Sequence, residues 1–187
     1  MLDRRDFVRR LLIDRGDLLV VSGLGSATYD VAAAGDHPLN FYLWGAMGGT
    51  AMIGLGLALA QPSRRVAVLT GDGDMLMGIG SLATIGVKQP SNLAIVVLDN
   101  AQYGETGMQA SHTRSGIDLV AVALACRFKE ARAVSRIEEA ADVRKLLHAG
   151  EGPILVSARI NEEDVPRVLP LRDGHAIKQR FMDALNS

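Results

Sequence analysis

Four apolar runs, DLLVVS (17–22), VAVLT (66–70), LAIVVLD (93–99) and PILVSARI (153–160), show almost no alternation of polar and apolar residues. A strand wetted on one face alternates, whereas a strand covered on both faces need not. Segments with helical spacing separate these runs, among them GGTAMIGLGLALA and IDLVAVALACRF. That succession specifies an α/β fold, a mostly parallel sheet with helices on both faces. FYLW (41–44) and ARAV (131–134) read as further strands. Arg136 to Ala149 reads as a helix opened by a capping box of Ser135 and Glu138. HAIKQRFMDAL reads as a terminal helix. An opening helix places Phe7, Val8, Leu11 and Leu12 on one face and its arginines on the other. Asn100 to Ser115 forms a long loop. No repeat or linker interrupts the 187 residues, so one domain over 1–187 is expected.

Composition removes several classes of function. A net charge of −1 and a pI near 6.4 give no electrostatic footprint for nucleic acid. No apolar stretch has the length of a membrane span. DRRDFVRRLL resembles a twin-arginine export signal, but Asp14, Arg15 and Asp17 interrupt the apolar run that export requires. A cytoplasmic protein is expected. The lone Cys126, in VAVALACRF, excludes an internal disulfide and reads as a small core residue in a reducing compartment.

Parallel sheets bind ligands at the carboxyl ends of their strands, which directs attention to the loops after Ser22, Trp44, Thr70 and Asp99. TGDGD (70–74) is unusual there, because it leads into a helix expected from about Asp74 and its two carboxylates would repel the anions that a helix N-terminus ordinarily attracts. A phosphate-binding P-loop would end in Gly-Lys-Ser/Thr, which is missing. A calcium loop starting at Asp72 would need oxygen ligands where Leu76 and Ala83 stand. GLGSAT (23–28) approaches a dinucleotide fingerprint, yet Thr28 replaces its third small residue and no suitably placed acid follows. A hard-cation site survives these tests. Asp72 and Asn100 close two successive strands, whose ends can lie side by side and offer carboxylate and amide oxygens to Mg²⁺. Gly71 and Gly73 leave room for a close ligand, and the cation reconciles Asp72 with a diphosphate.

GDG followed by LDN, with FYLWGAMGGTAMIGLGLALA and LDNAQYGETGMQASHT, resembles thiamine-diphosphate-dependent 2-oxoacid decarboxylases. The pattern is similar to the cofactor-binding beta subunit of sulfopyruvate decarboxylase and the C-terminal half of phosphonopyruvate decarboxylase. The resemblance implies the diphosphate-binding domain of that fold, with thiamine diphosphate and Mg²⁺ as cofactors. It implies Asp72, the Asn100 side chain and the Gln102 backbone carbonyl as metal ligands. Gly71, Gly73, Asp74 and Met75 would line the diphosphate site, with the Asp74 side chain read as a helix cap. Gly45, Ala46 and Met47 would hold the aminopyrimidine end, and Tyr103 and Gly104 complete the cofactor set. Gly48, Gly49, Gly54 and Gly56 are read as positions of close helix packing.

Glu105 and His112, in the loop expected to cover the cofactor, are candidates to orient substrate or relay a proton. The family's activating glutamate belongs to a pyrimidine-binding domain, and every glutamate here lies at or after Glu105. A separate partner subunit is therefore expected to supply it, with self-association and a small 2-oxoacid substrate. The implied reaction is non-oxidative decarboxylation to CO₂ and an aldehyde. The alternatives are a carboligase of acetolactate-synthase type and a non-catalytic cofactor-binding or regulatory subunit.

Overall fold

The structure, a computed structural model, describes residues 1–162 and 165–186. In chain order the elements are α1 (Arg4–Leu12), β1 (Leu19–Ser22), α2 (Ser26–Ala33), β2 (Asn40–Tyr42), α3 (Thr50–Ala60) and β3 (Val66–Gly71). Then come α4 (Asp72–Met77), α5 (Ser81–Lys88), β4 (Leu93–Asp99), and a short hairpin of β5 (Gln102–Tyr103) and β6 (Gln109–Ala110). The chain closes with α6 (Leu119–Ala125), β7 (Glu130–Val134), α7 (Ala140–Ala149), β8 (Ile154–Arg159) and α8 (Gly174–Leu185). Among the described residues, no helix is long and apolar enough to cross a membrane.

Six strands form one parallel sheet in the order β2-β1-β3-β4-β8-β7. Its central strands are apolar throughout because both faces are covered. On one face Val20, Leu69, Val96 and Val156 meet Phe7 and Leu11 of α1 and Val143 of α7. On the other, Val21, Val68 and Ile95 meet Leu55 of α3 and Ile85 of α5. Adjacent strand residues thus face opposite layers, as the period of two requires.

Several local expectations are corrected. The second strand is Asn40–Tyr42 rather than 41–44. The helix after β3 begins at Asp72, inside the acidic motif, and breaks at Gly78–Gly80 before α5 resumes. A Cβ at Gly78 would stand 2.0 Å from the Gly48 carbonyl, so the turn before α3 presses on that break. At the start of α7 the capping carboxylate is Glu139, not Glu138. It accepts from the Ser135 and Arg136 N–H groups, at 3.0 and 2.9 Å. A short 3₁₀ turn then precedes α7, which starts at Ala140. Cys126 is half-buried at the core's edge.

The first helix buries Phe7, Val8, Leu11 and Leu12 as its spacing requires, but its arginines divide. Arg9 and Arg10 pair with Asp6 on the wet face, whereas Arg4 is buried and Arg5 is partly buried. Their Nε–H groups donate to Asp30 of α2, at 2.7 and 3.0 Å on separate oxygens. Burial pushes the Asp30 carboxyl above its ordinary range against the pull of both arginines, yet two donors on two oxygens fit the ionised form.

Of the glycines read as packing positions, Gly54 fits and Gly56 does not. A Cβ at Gly54 would lie 2.2 Å from Cγ2 of Val68, whereas Gly56 faces open space. Gly54→Ala is therefore expected to lower stability by about 1–3 kcal/mol through overpacking of α3 against β3. Gly56→Ala is expected to raise it by about 0.5–1 kcal/mol through helix propensity. Urea denaturation of the two variants checks both signs; a stabilising Gly54→Ala would refute the close contact.

Candidate active site

From β1 the chain steps to β2 on one side and later to β3 on the other, so the loops leaving β1 and β3 separate above the sheet. The Gly23 N–H still bonds the Leu69 carbonyl at 2.8 Å, after which the chain enters α2. β3 enters α4 without a loop, and β4 enters the hairpin of β5 and β6. Most of the expected site residues gather where these three strand ends meet, but Gly45, Ala46, Met75 and His112 do not border the cavity there.

Asp72 opens α4 and is 1% exposed. Its Oδ2 accepts from the Ser111 hydroxyl, and the Thr113 hydroxyl lies 3.3 Å from the same atom. Thr113 also lies 2.8 Å from Oδ1 of Asp99, so it bridges two carboxylates at the ends of β3 and β4. Arg159 reaches Asp99 at 3.3 Å, but among the described residues no cation reaches Asp72. Burial pushes the Asp72 carboxyl up, the Ser111 hydrogen bond pulls it down, and Asp99 pushes it up again. A bound cation would reverse that balance and stabilise the charged form.

The Asn100 Oδ1 accepts from the Gln102 N–H at 3.0 Å, which folds the chain back at the end of β4. The left-handed residue of this turn is Ala101 (φ 59°), leaving Gln102 in extended strand geometry. A carbonyl ligand at Gln102 therefore requires no glycine there. The carbonyls of Ala101 and Tyr103 on either side accept from Ser111 and Met108, and the Gln102 amide turns away to Glu162 at 2.8 Å. Among the described residues, no group of three or more His, Cys, Asp or Glu is placed to hold a metal ion. A site here would combine one carboxylate with amide oxygens, a donor set suited to a cation that shares its shell with phosphate.

A cavity of about 60 Å³ lies beside Asp72 and Asn100, walled by Met47, Gly73, Tyr103 and Glu105. The Tyr103 ring lies over Gly73, where a Cβ would come within 2.6 Å of the ring and 3.3 Å of the Met47 methyl. Gly71, Asp74 and Gly104 also border this cavity. Gly45 and Ala46 lie exposed on the GAMG turn, with Ala46 at φ 58° and Gly48 at φ 90°. Met75 is 2% exposed and packs in the core, so its side chain does not reach the cavity.

Glu105 and His112 go to different places. The Glu105 side chain packs on Gly25, where its Oε1 would stand 2.5 Å from a Cβ, over the start of α2. His112 places Nδ1 3.3 Å from the Tyr103 hydroxyl, with the two rings edge to face. Sequence reading missed Arg4 and Ser26, which border the cavity from α1 and α2, and the two hydroxyls on Asp72. Ser111 and Thr113 had a visible signal, since SHT follows the strand ends closely. Arg4 had none, because its carboxylate partner lies 26 residues away.

Asp74 is not a helix cap. Gly71 occupies the cap position of α4 without a side-chain bond. The Asp74 carboxylate, 6% exposed, accepts from the Gly48 N–H through Oδ1 and from the Thr70 hydroxyl through Oδ2. It fastens the GAMG turn to the end of β3.

Comparison with known proteins places this geometry. Residues 23–158 match the C-terminal TPP-binding domain of the thiamine pyrophosphate enzymes. The chain belongs to that family. This thiamine pyrophosphate enzyme domain is 39% identical over 184 residues to sulfopyruvate decarboxylase subunit beta of Methanothermobacter thermautotrophicus, covering 97% of this chain and 95% of that one. It is 39% identical over 159 residues to phosphonopyruvate decarboxylase of Streptomyces viridochromogenes, spanning 82% of this chain but only 40% of that enzyme. The fold agrees with a thiamine diphosphate-dependent 4-hydroxybenzoylformate decarboxylase of Rhodococcus jostii RHA1. Its TM-score is 0.71 at 22% identity, over 88% of this chain and 33% of that one.

The two bonds of Asp74 join charged and neutral partners in a buried setting, where each contributes about 1.5–3 kcal/mol. Asp74→Ala is expected to destabilise the domain by at least about 2 kcal/mol and to speed hydrogen exchange at the Gly48 amide, with the β3 amides less affected. Protection at Gly48 equal to wild type would exclude the tether.

Proposed function

We propose that the chain is the cofactor-binding subunit of a heteromeric thiamine-diphosphate-dependent decarboxylase acting on a small 2-oxoacid. The observation that carries this reading is the meeting of Asp72, Asn100 and Gln102 at adjacent strand ends, in a chain matched nearly end to end by a decarboxylase beta subunit. Asp72 fits a cation because it is buried and lacks one among the described residues. Gly73 leaves bare backbone on the cavity wall, and it has to be glycine because the Tyr103 ring and the Met47 methyl fill its side-chain position.

Asp72, the Asn100 side chain and the Gln102 carbonyl would hold Mg²⁺, which in turn holds the diphosphate. Thiamine diphosphate, when bound, supplies the electron sink for loss of CO₂. The protein's contribution is position and electrostatics. Asp74 holds the turn that carries Met47, Tyr103 closes the cavity over Gly73, and Ser111 keeps Asp72 directed inward. A substrate carrying a second anionic group, sulfonate or phosphonate, follows from the relatives' names. Cytoplasmic location remains part of the same reading.

A partner subunit completes the site. Glu105 is the one glutamate among the described residues bordering the 60 Å³ cavity, and it lies on the α2 side, away from the exposed Gly45–Ala46 edge. The activating carboxylate expected by resemblance would approach that edge from another chain. α3, which follows it, carries no charged residue and exposes Met52 (41%) and Leu59 (50%). An apolar outer helix face beside a half-built site suits a subunit contact.

Co-purification with the partner, followed by assay of CO₂ release from sulfopyruvate and phosphonopyruvate, tests the reaction; the expected organic product is the aldehyde. A condensation product would replace decarboxylase with carboligase, and cofactor binding without turnover would leave a regulatory subunit. Asp72→Ala is expected to weaken Mg²⁺-dependent thiamine diphosphate binding by more than the roughly 10–100-fold that loss of a supporting residue costs. Unchanged affinity would remove Asp72 from the metal site. Leu59→Lys is expected to dissociate the complex in sizing experiments while the isolated subunit keeps its circular dichroism.

A further inference from the structure

We propose that Arg4 is a direct ligand of the cofactor's diphosphate, oriented for that task by Asp30. The inference rests on the thiamine diphosphate reading and extends it to a helix outside the matched segment 23–158. Leu2 forms a parallel bridge with Ile160, donating to Arg159 at 3.0 Å and accepting from Asn161 at 2.9 Å. That bridge anchors the first turn of α1 at the carboxyl edge of the sheet, beside the start of α2.

Arg4 is 6% exposed, and its Nε donates to Oδ2 of Asp30, itself 1% exposed. Neither Nη of Arg4 meets an acceptor among the described residues. The side chain borders the same 60 Å³ cavity as Ser26, Gly73 and Asn100, and it is the one basic residue among the described residues that do so. Asp72, Asp74 and Glu105 are the acids along that wall. The unmatched Nη groups of Arg4 keep access to solvent, so an anion in the cavity can meet them and form charge-assisted hydrogen bonds.

Asp30 cannot neutralise the pair, because its other oxygen is taken by Nε of Arg5. Arg5 uses its Nη2 on the Pro166 carbonyl, outside the small cavity. One carboxylate therefore fixes two guanidinium planes and leaves a net positive charge; Arg4 borders the 60 Å³ cavity beside Asp72 and Gly73, whereas Arg5 borders only an adjoining cavity of about 220 Å³. A diphosphate held through a Mg²⁺ ion on Asp72 would retain negative charge, and a guanidinium edge matches phosphate oxygens in pairs.

The test measures Mg²⁺-dependent binding of thiamine diphosphate to the full chain, alone and with its co-purified partner, by titration calorimetry. Arg4→Gln is expected to weaken binding by about 10- to 100-fold, the span of a lost charge-assisted hydrogen bond. Arg5→Gln, which shares Asp30 but not the cavity, is expected to stay within about twofold. Inorganic diphosphate should lose its ability to compete for Arg4→Gln to the same extent, while thiamine without phosphate should be indifferent to the change. If Arg4→Gln folds poorly, Arg4→Lys keeps the charge and stem and should show an intermediate affinity at unchanged thermal stability. Wild-type affinity in Arg4→Gln or Arg4→Lys overturns the proposal. Equal losses in the Arg4 and Arg5 variants, tracking a fall in thermal stability, reduce the pair to a structural staple. Failure of the wild type to bind thiamine diphosphate sinks the cofactor reading instead.

Discussion

Between β1 and β3 the chain reverses the direction in which it adds strands, and two neighbouring loops must part as a result. α2 and α4 start on either side of that opening, so a crevice exists there before any side chain is considered. Unbroken apolar strands make the opening durable, since helices cover both faces and leave the strand ends as the natural place for polar chemistry. A one-residue slip of β3 against β4 would turn Asp72 away from Asn100. The pairing of Gly71 with Leu98 holds it in place.

Within the crevice, carboxylates appear in two kinds of work. Asp99 and Asp74 are satisfied by the protein itself, through Thr113, Arg159 and the Ala101 N–H in one case and Gly48 and Thr70 in the other. Asp72 receives the Ser111 hydroxyl and its own backbone N–H but no cation among the described residues, and burial works against its charge. The residue that looks least comfortable in isolation is thus the one suited to a metal. Asp30 follows the satisfied pattern, but it has two arginines to one carboxylate, and the surplus charge lies on the side of the cradle.

Much of the fold was legible because it follows from local patterns. LAIVVLD is strand β4 residue for residue, since nothing in that run could be wetted without loss. The opening helix was legible for the same reason, through its stripe of Phe7, Val8, Leu11 and Leu12. What failed depended on partners distant in sequence. Arg4 reads as one more solvated arginine until Asp30 is brought beside it, and Asp74 reads as a cap until the Gly48 N–H arrives. The break at Gly78–Gly80 was missed because an apolar run continues across it, while the pressure of the Gly48 turn is tertiary. The motif residues were brought together because spacing between strand ends in a parallel sheet is nearly a distance in space.

The tether from Asp74 to Gly48 and Thr70 has a consequence for exchange of parts between relatives. The acidic motif and the GAMG turn are 26 residues apart in sequence but mechanically one piece. Transplanting only residues 71–75 from a relative with a small residue in place of Asp74 would import a strand end with nothing to grip the turn. The two segments form a single module and have to be swapped as one.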